Sequence, residues 1–448
     1  MDRGSQPAKE TAAGHDGPDV ELSTSLQGIA NKARKEPRHR FRNLYGMLTE
    51  AFLLESWRWV RKNAASGVDG VSAREYEREL AANIRSLVER LKGKRYRARL
   101  VRRQWIPKGD GKERPLGIPV VEDKLLQVAV ARILSAICEQ DFLRCSYGYR
   151  PGVGAHDAID KLTVKLQFGR YRHVVELDLE NYFGTIDHDW LTRMLEQRID
   201  DGPFLRLIRK WLKAGILETD GQVVHPATGT PQGGVVSPVL ANVYLHYVLD
   251  LWFHRKVVRA CRGEACLIRY ADDAVCAFEH AQEAGRFLLE LEARLAKFGL
   301  KLSATKTRRL AFSRENGGRE SFDFLGFEFR WGRDRQGRPH VQRRTARKSL
   351  RKSLARFTLW CREHRHTAIG PLMKKVSQKL RGYYRYFGIH GNSRSMWLFH
   401  FTAMRILQKW LNRRSDRRSY NWAGFRELLQ HFQVPCPVTA PPVSVTRS

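Results

Sequence analysis

The chain has 448 residues, 42% of them hydrophobic, and carries 80 Lys+Arg against 47 Asp+Glu, a formal net charge of +33. This is apolar content for roughly two to four domains of ~150 residues, under a charge that repels itself unless the partner is a polyanion, so nucleic acid is favoured over a merely solvated basic surface. Seven scattered cysteines without recurring CxxC pairs, an opening stretch without a signal-peptide core, and no run of about 18 apolar residues argue against a zinc or disulfide framework, export and a membrane span, and place the protein in a reducing cytosol.

Residues 1–36 are rich in small, polar and charged types and read as a disordered tail. From Asn43 the pattern turns helical, with Leu44, Met47, Leu48, Phe52, Leu53 and Trp57 near one face. After GVDG (67–70), a second helix over 72–92 carries Tyr76, Leu80, Ile84, Leu87 and Leu91 at helical spacing. VRRQWIPKGDGKERPLGIP then reads as a hairpin: an extended segment ending at Ile106, a GDG turn, and a second segment at 115–118. Helix follows in EDKLLQVAVARILSAICEQDF. RHVVELDLENYF (172–183) reads as a strand with Asp178 at its end, and DHDWLTRMLEQRI as a helix that Asp187 or Asp189 caps.

GTPQGGVVSPVLANVYLHYVLDLWF is a Gly/Pro loop entering a buried helix, and CLIRYADDAVCAFEH a strand, tight turn and strand. A helix at 281–299 and a strand pair around 308–331 close this block. Beyond residue 341 the composition shifts: 341–381 holds thirteen Lys/Arg and one acid, Glu363, with Leu350, Leu354, Phe357 and Cys361 as an apolar stripe. That is a separate basic helical module. The last dozen residues are rich in Pro, Ser and Thr and read as frayed.

The chemistry starts from acids set in apolar strands: Asp178, Asp272 and Asp273. A carboxylate at a strand end, met by two more on a hairpin turn, suits two Mg²⁺ ions and phosphoryl transfer. An isolated Asp-Asp reads equally well as an Asx-type turn. Asp178 on its own strand, 94 residues before Asp272, and the basic charge favour the metal reading.

Seven blocks occur in order: WIPKGDGKERPLGIP, SYGYRPGVGAHDAI, ELDLENYFGTIDHDWL, GTPQGGVVSPVLANVYL, IRYADDAV, GLKLSATKT and FDFLGFEF. They resemble the successive blocks of bacterial group II intron-encoded reverse transcriptases in sequence and spacing. LRGYYRYFGIHGNSRSM, followed by KWLNRRSDRRSYNWAGFRELL, resembles that family's maturase region. The resemblance covers roughly residues 40–435 and rests on the conjunction of blocks; YADD alone is not specific.

It implies an α+β fold, a right-hand polymerase of fingers, palm and thumb. The domain expectation is a tail over 1–36, fingers and palm over 37–335, a thumb/maturase helical domain over 336–412, and a short basic C-terminal segment over 413–448 ending in a disordered tail. By resemblance, Asp178 and Asp272 are the main ligands of two Mg²⁺, with Leu179 and Asp273 beside them. Phe183 stands where the family has an aromatic steric gate against the 2′-hydroxyl; its plain alternative is core packing. Lys108 and Arg114, on the two sides of the hairpin, match residues that hold the incoming triphosphate. Gln232 matches a nucleotide contact, Gly233 and Gly234 permit close backbone approach, and Lys306 matches a palm lysine near the triphosphate.

Gly184 departs from the family, which often has Asp there, and tuning rather than loss of activity is expected. Asp187–His188–Asp189 reads as a helix start, not a further ligand set. Candidate RNA contacts are Arg343, Arg344, Arg347, Lys348, Arg351, Lys352, Lys374, Lys375 and Arg381. Tyr383, Tyr384, Tyr386, Phe387 and Trp397 divide between stacking on bases and packing helices together.

The expected activity is RNA-directed DNA synthesis on intron RNA from a DNA primer with dNTPs, together with a maturase role in splicing, in a cytoplasmic, nucleoid-associated particle. Many relatives carry a C-terminal HNH endonuclease with paired CxxC motifs; Cys436 stands alone here, so no second-strand cleavage is expected. A domesticated relative in host defence or DNA repair shares the chemistry. A non-catalytic splicing factor is disfavoured by the intact Asp178, Asp272, Asp273, Gln232 and Lys108, and a viral RNA polymerase by Phe183. Dimerisation is left open.

Overall fold

The computed structural model describes residues 24–107, 113–230, 233–315, 319–334, 336–414 and 419–438. The chain packs as two compact units, one ending at Ala311 and the other beginning at Phe312. The domain expectation sets a boundary at 335/336; the packing divides the chain earlier because the strands after Phe312 pair among themselves.

The first unit opens with α1 (Thr24–Lys35), within the stretch expected to be disordered. It is a helix because Leu26, Ala30 and Ala33 bury one face, and because Arg198 ties its last turn down by donating to Ala33 O at 2.9 Å. The helix expected from Asn43 is broken into α2 (Glu50–Ser56) between single 3-10 turns at Tyr45–Met47 and Trp57–Trp59. Thr49 accepts from Phe52 N and caps α2, starting the helix later than its periodicity suggests. The next segment divides into α3 (Ala73–Arg78), with a Ser72/Glu75 capping box, and α4 (Leu80–Lys92).

Strands β1 (Val101–Pro107) and β2 (Glu113–Ile118) form the expected antiparallel hairpin, extended on the β1 side by β4 (Ile216–Leu217) and β5 (Val223–Val224). Between these strands in the chain come six elements. Helix α5 (Val121–Cys138) is buried on nearly all faces, as its apolar residues occupy every face of the turn. It is followed by α6 (Ala155–Phe168), β3 (His173–Leu177), the single turn α7 (Tyr182–Thr185), α8 (His188–Leu195) and α9 (Gly202–Leu212). Asp187 caps α8 by accepting from Trp190 N at 2.8 Å, as expected.

Helix α10 (Ser237–Leu245) runs on into wider π-type turns at His246–Asp250 and Phe253–Val257 and ends in α11 (Val258–Ala260). Strands β6 (Ala265–Tyr270) and β7 (Asp273–Phe278), helix α12 (Ala281–Lys297) and β8 (Arg308–Ala311) complete the unit. The sheet order is β6-β7-β3-β8, all antiparallel. Strands β6 and β7 are nearly continuously buried, which is why they read as apolar runs rather than alternating ones, whereas β8 at the sheet edge buries only Leu310.

The second unit holds a separate sheet of β9 (Ser321–Phe324), β10 (Phe327–Arg333) and β11 (Pro339–Thr345), order β11-β10-β9. The strand pair expected around 308–331 is therefore divided: β8 joins the first unit's sheet, and β9 and β10 belong here. Helices α13 (Arg347–His364), α14 (Ile369–Phe387), α15 (Ser393–Leu411) and α16 (Trp422–His431) follow. Phe357 and Cys361 of α13 are buried while Leu350 and Leu354 are half-buried, so the expected apolar stripe is the packed face.

Candidate active site

Two residues join β6 to β7, with Tyr270 opposite Asp273. The short loop places Ala271 at φ +56°, a conformation an L-residue adopts only when its surroundings impose it. Asp272 is the second loop residue and Asp273 the first of β7. In the neighbouring strand, Leu177 pairs with Ala274. Continuing that register by one residue brings Asp178 level with Asp273. Three acids thus meet at one end of one sheet because an apolar strand stops and a hairpin turns at the same level.

The backbone after β3 is held by the segment at 301–303. Ser303 N donates to Asp178 O at 2.8 Å, Glu180 N to Lys301 O at 2.9 Å, and Leu179 bridges Leu302. Leu179 itself is buried. This pairing delivers Lys306, whose Nζ lies 2.9 and 3.1 Å from the two oxygens of Asp178. The Lys306 side chain is 59% exposed, so the pair is a screened and exchangeable one.

Burial pushes the Asp273 carboxyl up to about 6, and the charges of Asp272 and Asp178 add to the rise, against Lys306 and Arg114. Asp273 itself is exposed, the first residue of a strand that is otherwise buried. Asp272 is raised by the same causes, burial first and then Asp178. Carboxylates crowded together so that the pKa values of Asp272 and Asp273 rise fit a hard dication such as Mg²⁺, which would relieve the repulsion. The protein side chains alone do not enclose an ion: among the described residues no three His, Cys, Asp or Glu side chains are so arranged.

Of the expected nucleotide contacts, Lys108 and Gln232 lie outside the described residues. Arg114 is exposed on β2 and close enough to act electrostatically on Asp272 and Asp273. The glycine reading of the PQGG loop has a physical basis at Gly233, φ +117°: a Cβ there would overlap Gly117 O and lie 2.9 Å from Leu116 Cδ1. Phe183 is half-buried, its ring centroid 5.4 Å from Tyr182 and 6.5 Å from Tyr149, and its carbonyl accepts from Thr230 N at 2.7 Å. Gly184 is tightly placed. A Cβ would lie 2.9 Å from Asn181 Cγ, and Gly229 packs on the Gly184 backbone. His188 is buried with Nε2 2.7 Å from Gly229 O.

Sequence reasoning missed Gly148, Tyr149, Asn242, Asp250 and Arg269. Tyr149 is 49% exposed at φ +57°. Its neighbours by charge include Asp272, Arg114 and Asp273. Gly148 lies so close to the acid turn that a Cβ would overlap Ala271 N and stand 2.9 Å from Tyr270 C. Arg269 did leave a signal: it is the one charge inside the apolar stretch CLIRYA, and every residue from Cys266 to Arg269 is buried.

In the second unit, Arg347, Lys348, Arg351 and Lys352 are exposed on α13, and Lys374, Lys375 and Arg381 on α14. Arg344 instead donates Nε and Nη2 to the Glu328 carboxylate at 2.9 and 2.8 Å, and Arg343 is half-buried. Most of the aromatics pack. Tyr383 stacks on Phe399, Tyr384 Oη is 2.7 Å from His400 Nδ1, Tyr386 Oη donates to Leu325 O at 2.9 Å, and Phe387 is buried. Trp397 differs. It is 39% exposed and stacked on Phe401, itself 60% exposed, at 5.3 Å, on the α15 face that also carries Arg394 and Arg405.

A family model described as reverse transcriptase (RNA-dependent DNA polymerase) matches residues 106–329, half of the chain. Protein YkfC of Escherichia coli (strain K12) is 34% identical over 288 residues, covering 57% of this chain and 75% of that protein. The group II intron-encoded protein LtrA of Lactococcus lactis subsp. cremoris is 43% identical over 173 residues, 38% of this chain and 28% of that protein. A 91 kDa protein in the cob intron of Schizosaccharomyces pombe is 34% identical over 207 residues, 46% of this chain and 25% of that protein. The chain thus spans about a quarter of the length of these last two relatives. No helix among the described residues is long and apolar enough to cross a membrane.

Proposed function

Because the chain belongs to the reverse transcriptase family, with group II intron-encoded proteins among its relatives, we propose that it is an RNA-directed DNA polymerase and maturase. It copies intron RNA from a DNA primer with dNTPs and holds that RNA to assist splicing and mobility. In this reading the β6-β7-β3-β8 sheet is the palm, the β1–β2 hairpin belongs to the fingers, and α13–α15 form the thumb. The observation that carries it is the meeting of Asp178 with Asp272 and Asp273 at one end of a single sheet.

Two Mg²⁺ held by Asp178, Leu179 and Asp272, with Asp273 beside them, would activate the primer 3′-hydroxyl and stabilise the charge leaving with pyrophosphate. The chain's own residues do the rest. Arg114 and Lys306 meet the triphosphate, and Lys306 leaves Asp178 as the phosphates arrive, an exchange that a screened surface pair permits at small cost. Phe183, half-buried between Tyr182 and Tyr149, stands under the sugar and leaves no room for a 2′-hydroxyl. The exposed cations of α13 and α14 follow RNA phosphates, and the Trp397–Phe401 face offers stacking.

The test is primer extension on an RNA template with dNTPs and Mg²⁺. Asp272→Ala abolishes synthesis, and unchanged synthesis by that variant sinks the assignment. Phe183→Ala admits ribonucleotides that the wild type rejects; equal rejection by both returns Phe183 to core packing.

A further inference from the structure

We infer that Arg269 is a positioning residue for the proposed polymerase site: its buried guanidinium clamps the Ala271–Asp272 turn to the 145–148 segment and the 242–250 helical stretch, and so fixes where the two turn carboxylates sit. The inference rests on the polymerase reading above, but its contacts belong to this chain alone.

The side chain of Arg269 is 0% exposed, as is that of Asp250. All five of its N–H groups have an acceptor. Nε donates to Asp250 Oδ1 at 2.8 Å and Nη2 to Asp250 Oδ2 at 2.6 Å, a bidentate fork. The second Nη2 hydrogen goes to Ser146 Oγ at 2.7 Å. Nη1 donates to Asn242 Oδ1 at 3.1 Å and to Ala271 O at 2.9 Å. The last bond reaches the turn, at the residue held at φ +56°.

The same neighbours close a ring. Asn242 Nδ2 donates to Gly148 O at 2.7 Å, and Gly148 lies against Ala271 N with no space for a side chain. The backbone of Arg269 joins the same segment, donating to Cys145 O at 2.7 Å and accepting from Tyr147 N at 2.9 Å. Ala271 is thus gripped from one side by a guanidinium and from the other by a glycine backbone. A buried Arg–Asp pair adds little stability over apolar residues of the same volume, whereas it does specify one geometry. Here the specified geometry is that of a left-handed turn with an acid on each of its next two positions. Lysine has three donors on one nitrogen and cannot serve Asp250, Asn242, Ser146 and Ala271 together.

A second buried arginine supplies the comparison. Arg198 donates to the carbonyls of Ala33, Glu36 and His39 and pairs with Asp141 at 2.9 Å, and none of these residues belongs to the acid site. Loss of a buried, multiply bonded arginine as such is therefore reported by Arg198→Lys.

The experiment titrates Mg²⁺ in primer extension, and Mn²⁺ by electron paramagnetic resonance, on the full-length wild type, Arg269→Lys, Asp250→Asn and Arg198→Lys. Each is assayed below its unfolding temperature. Arg269→Lys is expected to weaken metal binding about 10-fold and lower kcat by about 10–100-fold, with KM for the primer–template unchanged, as loss of a partner behind metal-binding groups does. Arg198→Lys stays within about 2-fold of wild type in both. Wild-type metal affinity and kcat in Arg269→Lys, or equal losses in Arg198→Lys, overturn the inference. Should Arg269→Lys fail to fold, Asp250→Asn decides by the same Mn²⁺ readout: weakened binding supports the clamp and wild-type binding overturns it. A wild type that binds Mn²⁺ but incorporates no dNTP would refute the polymerase reading alone, since the Mn²⁺ titration still judges Arg269.

Discussion

In the acid-bearing sheet a single arginine, Arg269, is sealed from water with every N–H bonded, whereas α13 holds Arg347, Lys348, Arg351 and Lys352 in the open. All of these groups are cations, and their surroundings make them different tools. A buried guanidinium acts through direction, because each bond fixes an acceptor within a few tenths of an ångström. An exposed row acts through its field, which attracts phosphates without requiring one arrangement. The two units therefore fail differently: the first by small displacements, the second by loss of charge.

Gly148→Ala is the most severe test of the first half of that contrast. The added Cβ overlaps Ala271 N, which is backbone and cannot rotate away, so the turn carrying Asp272 and Asp273 must shift. Misplacement by about 1 Å costs on the order of 10²-fold in rate. The measurement is single-turnover dNTP incorporation at saturating template, with RNA affinity measured alongside. RNA affinity should hold. A wild-type rate would show that the turn tolerates displacement and that direction matters little there.

Asp123 extends the contrast to pH. It is buried, accepts from Tyr96 Oη at 2.6 Å and Arg99 N at 3.0 Å, and burial raises its carboxyl from 3.8 to about 6. A carboxyl raised in the fold stabilises it fully below about 3.8 and loses that contribution as pH climbs through about 6. Asp123→Asn should therefore gain about 2–3 kcal/mol on the wild type between pH 4 and pH 7. Chemical denaturation at the two pH values measures it. A constant difference would show that the Tyr96 and Arg99 bonds offset the burial.

Changing Arg347, Lys348, Arg351 and Lys352 together to Gln probes the other half. Four fewer phosphate contacts reduce the slope of log affinity against log salt by up to about 2.8, and affinity for structured RNA falls roughly tenfold at moderate salt. The rate from the bound complex should be unchanged. An unaltered salt slope would move the RNA footprint off α13.

Local pattern made some of this legible and distance hid the rest. The alternating and apolar runs gave the hairpin of β1 and β2, the buried α5, the strand ending at Asp178 and the turn at Ala271–Asp272, since each is decided within a dozen residues. Helix α1 was misread because its small apolar face, Leu26, Ala30 and Ala33, lies among polar residues and is completed by Arg198, far along the chain. The division of β8 from β9 and β10 depends on pairing partners, which periodicity does not encode. Of the site, the acids announced themselves as charges in apolar strands. Arg269 carried the same mark, but its acceptors Ser146, Asn242 and Asp250 come from segments whose convergence only the fold creates.

Arg344 marks where the contrast becomes fine. It sits three residues before Arg347 in the same basic stretch and by composition is its equal. Its guanidinium, however, is forked onto Glu328 across β10 and β11, and the carboxylate of Glu328 is held low chiefly by that hydrogen bond. A cation already neutralised by a carboxylate has little field left for phosphate, and releasing it would strand Glu328. Arg344→Ala should therefore change RNA affinity by less than about twofold and cost about 1–3 kcal/mol of stability, because it leaves the buried Glu328 carboxylate without its partner. Filter binding at two salt concentrations checks the first and thermal unfolding the second. A loss of RNA affinity equal to that of Arg347→Ala would mean that Glu328 gives up its partner to RNA, and that sequence charge alone, not its pairing, decides what this unit binds.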